Sequence, residues 1–291
     1  MLDKRFQTLI VLSKTLSYTK TANQLFITQP AVSQQINTLE NELNMQLVIT
    51  NKRQITLTDA GRALARYAQQ VQIESSKLVT HLQNNHQDLN LKLGCTLSLS
   101  STLLPDFISS LSHRSQLMAS EIGNTSHILK NIREGKVDFG LIEGNFNKEE
   151  FDSIQIKKEN FICVANPDAN IKADTVSDLF AQNLYIREVG SGSREILENW
   201  LSTQNFQLND FQQVMEIASP TVIVQLLQQS KGVSFIYESL VTEDIDQGKL
   251  KKLNLKDFKI SHPINLVFLK NSYFTNTYQQ LVNDFNRQTA N

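Results

Sequence analysis

The sequence has little of what specialised chains are rich in. Two cysteines in 291 residues cannot build a disulfide framework, so a packed core must supply the stability and a reducing compartment is expected. Ten glycines and five prolines are too few for a collagen-like or low-complexity chain. No apolar run approaches the length of a membrane-spanning helix, and the opening Met1-Leu2-Asp3-Lys4-Arg5-Phe6 lacks the apolar core of an export signal. A cytoplasmic protein with no membrane partner is therefore expected. Charge of one sign is also missing: 28 Lys and Arg stand against 29 Asp and Glu, which excludes a uniformly basic nucleic-acid coat protein. His81, His86, His113, His127 and His262 are scattered without metal-ligand spacing, so neither a metal nor another cofactor is expected.

What is present is a globular chain, 40% hydrophobic and 20% charged, long enough for two domains. Its charge is unevenly placed. Residues 1–87 hold nine basic and five acidic side chains, leaving nineteen basic and twenty-four acidic ones for residues 88–291. The two parts are expected to meet different partners.

The first sixty residues read as three short helices and a hairpin. Phe6, Leu9, Ile10 and Leu16 have helical spacing, and a second helix runs from Thr19 to Leu25 through the small Ala22. Phe26 and Ile27 form a turn. Thr28 then caps a third helix with Pro30 in its first turn and a buried stripe of Val32, Ile36, Leu39 and Leu43. Two short strands flank Asn51-Lys52-Arg53, giving a wing with a basic tip. From Thr58 a helical pattern continues to about His86, on the order of 40 Å at ~1.5 Å per residue. Leu64, Val71 and Leu78 recur every seven residues, with Tyr67 and Leu82 beside them. This stripe is expected to meet a partner helix in a second subunit, the alternative being packing on its own domain.

Beyond residue 87, short apolar strands alternate with helices, an α/β pattern. Strands are expected at 91–95, 117–119, 137–142, 161–164, 184–186, 233–236 and 264–268.

A helix, a tight turn, a second helix with small polar residues near its start and a basic wing together suit the DNA major groove. Gln29, Ser33, Gln34 and Asn37 lie away from the apolar stripe, and Gln and Asn can pair with the N6/N7 edge of adenine. Thr19, Lys20, Thr28 and Pro30 border this face, and affinity for phosphates falls to Lys52, Arg53 and Lys20. A merely solvated helix face is the alternative.

In the second part, helices follow runs of small polar residues. Thr96, Ser98 and Ser100 precede one, Asn124 and Thr125 a second, Ser191, Gly192 and Ser193 a third, and Ser219 and Thr221 a fourth. Unpaired amides and hydroxyls at helix starts favour an anion; ordinary capping is the alternative. Arg194 either meets an acidic ligand or braces Glu188 or Glu198. Cys95 and Cys163 lie in no evidently basic surroundings, which argues against a redox switch. No catalytic constellation is present.

Thr19-Lys20-Thr21-Ala22, then Thr28-Gln29-Pro30-Ala31-Val32-Ser33-Gln34-Gln35-Ile36, Leu39-Glu40, Glu42-Leu43 and Leu57-Thr58-Asp59-Ala60-Gly61, resemble the N-terminal region of LysR-type transcriptional regulators. Asn44 stands where that family usually has Gly, and Gln34 where a basic residue is common. The resemblance continues through Gly135-Lys136-Val137-Asp138-Phe139-Gly140-Leu141-Ile142-Glu143-Gly144, Arg187-Glu188-Val189-Gly190-Ser191-Gly192-Ser193-Arg194 and Met215-Glu216-Ile217. These look like the effector domain of the CysL-like branch, which holds regulators of sulfur assimilation and, more distantly, of carbon fixation.

The resemblance implies an all-α winged helix-turn-helix (residues 1–59) plus a long dimerisation helix (60–87), followed by an α/β two-lobed periplasmic-binding-protein-like effector domain (88–291). Lobe I would take 88–162 and 266–291 and lobe II 163–265, joined by crossover strands near 161–165 and 264–268. It implies a homodimer or homotetramer that reads double-stranded DNA at an A/T-rich interrupted inverted repeat and binds a small polar, anionic effector between the lobes, with RNA polymerase a further partner. Control of sulfur assimilation is expected. Control of carbon fixation, amino-acid metabolism or stress is the alternative, followed by a solute-binding protein or a two-lobed enzyme.

Overall fold

The computed structural model describes residues 3–51, 54–83, 90–111, 117–229 and 231–289. The chain forms two compact units, Met1–Gln87 and Asp88–Asn291.

In the first unit, α1 (Lys4–Thr15), α2 (Tyr18–Leu25) and α3 (Gln29–Leu43) precede a hairpin of β1 (Val48–Asn51) and β2 (Gln54–Leu57), followed by α4 (Asp59–Gln83). Each short helix begins where a side chain can take an unpaired amide: Asp3 accepts from Arg5 N, Ser17 from Lys20 N and Thr28 from Ala31 N. Helix α3 ends at Asn44 with φ +50°, a left-handed turn that Asn tolerates better than most residues, so the missing glycine there costs little. Leu9, Leu12, Ile36, Leu39, Leu47, Val48, Leu57 and Ala65 form one buried cluster. Each such aliphatic side chain contributes roughly 1.5–3 kcal/mol relative to exposure.

Two polar residues tie the hairpin to the helices. Glu40 Oε1 accepts from the Leu47 and Val48 amides at 2.7 and 2.9 Å. Thr58 donates its hydroxyl to the Gln46 carbonyl and accepts from Gly61 N, so it caps α4 while anchoring it. Gly61 rests directly on the Leu47 carbonyl, leaving no room for a Cβ.

Helix α4 is 25 residues long, about 37 Å at ~1.5 Å per residue. The expected partner stripe is divided. Leu64 packs against the head's own core, because the first turns of α4 close that core. Tyr67 and Leu82 are exposed, as is Val79, while Val71 and Leu78 are half-buried. Residues 84–87 of the expected helix lie outside the described residues.

The second unit contains β3 (Leu91–Thr96), α5 (Leu99–Thr102), α6 (Leu104–Ser110), β4 (Leu117–Gly123), α7 (Thr125–Arg133), β5 (Phe139–Ile142), β6 (Phe151–Ala165), β7 (Asn183–Ile186), α8 (Gly192–Thr203), β8 (Gln213–Glu216), α9 (Pro220–Gln229), β9 (Val233–Tyr237), α10 (Thr242–Asp246), β10 (Lys251–Leu253), β11 (Ile260–Leu269) and α11 (Thr275–Thr289). Its strands lie in the order β4-β3-β5-β11-β6-β9-β7-β8, with β10 paired to β6. Strand β3 is parallel to β4 and β5 in one lobe, and β7 is parallel to β8 and β9 in the other. Long antiparallel strands β6 and β11 pass between the lobes, with a bulge at Ile264/Asn265. Among the described residues no helix is long and apolar enough to cross a membrane.

Sequence reading located only the last third of β6. Residues 151–160 alternate apolar and polar too weakly to announce a strand, and β11 supplies the pairing that makes them one. The lobes also hand over slightly earlier than expected: Phe161 and Ile162 already pair with Tyr237 and Ile236 of lobe II, while Asn265 pairs with Ile142 of lobe I. Strands β8 and β10 fall outside the expected set, because each is short and neither presents the continuous apolar run that marks the others.

Helix propensity alone would favour alanine at position 61, whereas the contact with Leu47 opposes it. Gly61→Ala is therefore expected to destabilise the head by about 1–3 kcal/mol, read as an earlier thermal transition of the full chain.

Candidate functional sites

The first candidate is the polar face of α3. Thr28, Gln29, Pro30, Gln34 and Asn37 are exposed and Ser33 is half-buried, whereas Val32, Ile36 and Leu39 on the opposite side are buried. The Thr28 hydroxyl is engaged as the helix cap at 3.4 Å. Thr19 and Lys20 are exposed on α2. Gln35 turns inward, accepting from the Thr8 hydroxyl, so neighbouring glutamines have different roles. Lys52 and Arg53 lie outside the described residues.

The second candidate lies between the lobes of the second unit. It is assembled from the C-terminal ends of β3, β4, β5, β7 and β9, where open α/β sheets form their ligand crevices. Three of the four hydroxyl-bearing helix starts meet there. Thr125 Oγ1 accepts from Gly192 N at 3.1 Å, and Ser126 N donates to the Gly190 carbonyl at 3.1 Å. Asn124 Nδ2 donates to Glu188 Oε1 at 3.1 Å, while its Oδ1 caps α7. Ser191 and Ser193 hydroxyls lie 3.0 Å apart. Thr96, Ser98, Thr125, Ser191 and Ser193 are all buried. Gly144 and Gly192 touch backbone to backbone: a Cβ on Gly144 would lie 2.8 Å from Gly192 Cα and 2.8 Å from Thr125 Oγ1.

The charged members of this cluster were not singled out as site residues from sequence. Glu143, 1% exposed, receives the Thr96 hydroxyl, and Ser98 is a second hydroxyl partner. Burial pushes its carboxyl above the ordinary range, only partly offset by the Thr96 bond and the charge of Arg187. Arg187 is buried too, holding Glu188 with Nε at 2.9 Å and Nη2 at 3.1 Å and reaching Ser98 Oγ with Nη1 at 3.3 Å. Burial would raise Glu188, but the bonds and charge of Arg187 outweigh it and hold that carboxyl below its usual range. Tyr237 Oη donates to the Glu143 carbonyl at 3.3 Å. A signal was available: Glu143 and the Arg187-Glu188 pair each end a wholly apolar strand stretch, an expensive place for charge unless it has a partner.

Other expected members do not join. Ser100 donates to the Leu97 carbonyl at 2.8 Å within its own helix turn. Ser219 accepts from Val222 N as an ordinary cap and Thr221 is exposed; among the described residues no hydrogen bond ties either to the cluster. Arg194 braces Glu198 and Glu216 and donates to the Arg187 carbonyl at 3.2 Å, so it supports the site from behind without contacting Glu188. Cys95 and Cys163 are buried with thiols pushed far up by desolvation, which disfavours the reactive thiolate. A separate cavity of about 550 Å³, lined by Phe161, Lys252, Leu255 and Phe258 among others, shares no residue with the cluster.

A buried acid whose folded pKa is raised stabilises below its unfolded pKa and loses that contribution as pH rises through the folded value. The second unit is therefore expected to lose stability as pH climbs above the ordinary glutamate range. Glu143→Gln, which cannot ionise, should flatten that dependence and raise the thermal midpoint at neutral pH by roughly 2–4 °C per kcal/mol recovered. Thermal unfolding of the full chain across pH checks both.

Residues 4–62 match the family described as bacterial regulatory helix-turn-helix protein, lysR family, and residues 84–290 match the LysR substrate binding domain. Among curated relatives, the chain is 26% identical over 269 residues to the HTH-type transcriptional regulator CysL of Bacillus subtilis, covering 90% of this chain and 89% of that one. It is 26% identical over 267 residues to a probable RuBisCO transcriptional regulator of Chlorokybus atmophyticus, covering 88% and 85%. Among solved structures, full-length LysG of Corynebacterium glutamicum with bound effector Arg matches with TM-score 0.68 and 15% identity over 99% of both chains. ArgP of Mycobacterium tuberculosis matches with TM-score 0.68 and 16% identity over 98% of this chain and 97% of that one. These structural likenesses speak for the fold; the two family matches, which together span nearly the whole sequence, set aside the enzyme. The chain belongs to the LysR family of transcription regulators, with an N-terminal DNA-binding helix-turn-helix and a C-terminal effector-binding domain.

Proposed function

We propose that this regulator reads an A/T-rich interrupted inverted repeat with Gln29, Ser33, Gln34 and Asn37 of α3, and that Thr19, Lys20, Thr28, Pro30, Lys52 and Arg53 position the duplex. The observation that carries this reading is the division of α3 into an exposed amide-bearing face and a buried aliphatic one. Side-chain amides match the adenine edge, and with no Arg or Lys on that face, phosphate affinity falls to its borders. A two-fold repeat needs a two-fold protein, which Tyr67, Val71, Leu78 and Leu82 of α4 would supply as a homodimer, paired again into a homotetramer. The setting is the cytoplasm, where RNA polymerase is the partner of the output step.

The effector is a small acidic molecule held between the lobes. Hydroxyls of Thr96, Ser98 and Thr125 and the Arg187 guanidinium are the groups such a molecule needs. Burial already favours the protonated form of Glu143 and an arriving negative charge favours it further, so binding strengthens as pH falls. The effector shifts the arrangement of the lobes and thereby the spacing of half-sites that the oligomer spans. Likeness to the Bacillus subtilis CysL supports sulfur assimilation as the pathway, and likeness to several RuBisCO transcriptional regulators supports carbon fixation as the second reading.

Gln29→Ala and Ser33→Ala should each lower specific operator affinity about tenfold, within the ~1–3 kcal/mol of a good base contact, with the oligomer intact. Unchanged footprints for both would reject α3 as the reading helix. Thr96→Ala and Thr125→Ala should blunt the effector response and spare DNA binding; an undiminished response in both removes them from the pocket. Genome-wide binding with and without sulfur limitation tests the pathway, and occupied sites confined to other genes would reject it.

A further inference from the structure

Phe26 is 96% exposed, alone among the large apolar side chains of the described residues in being almost wholly bare. Its backbone is left-handed, with φ +55°, at the end of α2. It is also fixed: Phe26 N donates to the Asn23 carbonyl at 3.4 Å and Ile27 N to the Ala22 carbonyl at 3.0 Å, bonds that close the helix end. Glycine or asparagine suits such a position, whereas a phenylalanine costs conformational energy there. Folding of the head recovers almost none of that cost, because the ring buries almost none of its surface. The ring therefore gains free energy only when something apolar covers it.

Its place says what that is. Phe26 stands two residues before Thr28 and three before Gln29, at the entry to the exposed face of α3. The side chains of that face, Gln29, Gln34 and Asn37, are suited to adenine, and each adenine brings a thymine across the pair. The thymine C5 methyl is the apolar group that base edges present in the major groove, and a phenylalanine is among the side chains that cover it. We infer that Phe26 is a specificity-determining residue that packs its ring on a thymine methyl while the amides of α3 read adenine. This rests on the reading of α3 as the DNA-contacting helix.

The test uses the full-length chain and duplexes that it selects from a random-sequence library. Each thymine of the selected half-site is then replaced, one at a time, by deoxyuridine, which removes only the methyl group. Wild type should lose about fourfold in affinity at one thymine of each half-site, the worth of one buried methyl. Phe26→Asn should bind the selected duplex about tenfold more weakly, show no penalty at that thymine, and melt no earlier than wild type because asparagine accepts the left-handed turn. Phe26→Tyr keeps the ring and should keep the penalty, which guards against a folding defect in the asparagine variant. Full affinity in Phe26→Asn, or a deoxyuridine penalty unchanged at every thymine, would overturn the inference and leave the α3 reading standing. Failure of the wild-type chain to select any sequence would bring down both.

Discussion

The sensor unit depends on the pairing of β6 with β11. These two antiparallel strands, paired from Phe151↔Leu269 to Phe161↔Ile260, are where the sheet passes from one lobe to the other. Each lobe hangs its own parallel strands on one end of the pair, β5 on β11 and β9 on β6. Between those attachments run Lys157–Asn160 and Ser261–Ile264, where Pro263 has no amide to donate and a bulge follows at Ile264/Asn265. Among these eight residues only Glu159 and Ile264 are buried, so the two-stranded waist carries less packed core than either lobe.

The same topology decides where polar groups can collect. Parallel strands from both lobes end on the crevice, so the residue after each apolar stretch is delivered to a common space: Thr96, Glu143, Arg187 and Tyr237 arrive from four different strands. Burying charge there is costly, and the cluster offsets the cost by direct pairing of Arg187 with Glu188 and by hydroxyl bonds to Glu143. The head follows the opposite economy. Its polar face stays exposed, and its apolar residues are spent on a small core clamped by Glu40 and Thr58.

Legibility in the sequence followed periodicity and local chemistry. Helix α3 declared itself through Thr28, Pro30 and the Val32-Ile36-Leu39 stripe, and the wing through its flanking strands, because these signals lie within a few residues of one another. The hydroxyls at three helix starts were visible for the same reason. Pairings distant in sequence were not. Thr96 and Glu143 lie 47 residues apart and Ser98 and Arg187 lie 89 apart, and no local pattern in either member names the other. Ser219 and Thr221 show the converse, since a capping sequence has the same appearance whether or not it is bonded to the cluster. Leu64 fitted a seven-residue repeat and yet belongs to the head, because periodicity reports a buried face without saying what buries it.

The contact between Gly144 and Gly192 gives the crevice an unusual edge. Bare backbone meets bare backbone, with the Thr125 hydroxyl seated on the Gly192 amide beside it. A methyl group added at either glycine would strike the backbone of the other, so two segments 48 residues apart in sequence can meet this closely only because neither carries a side chain.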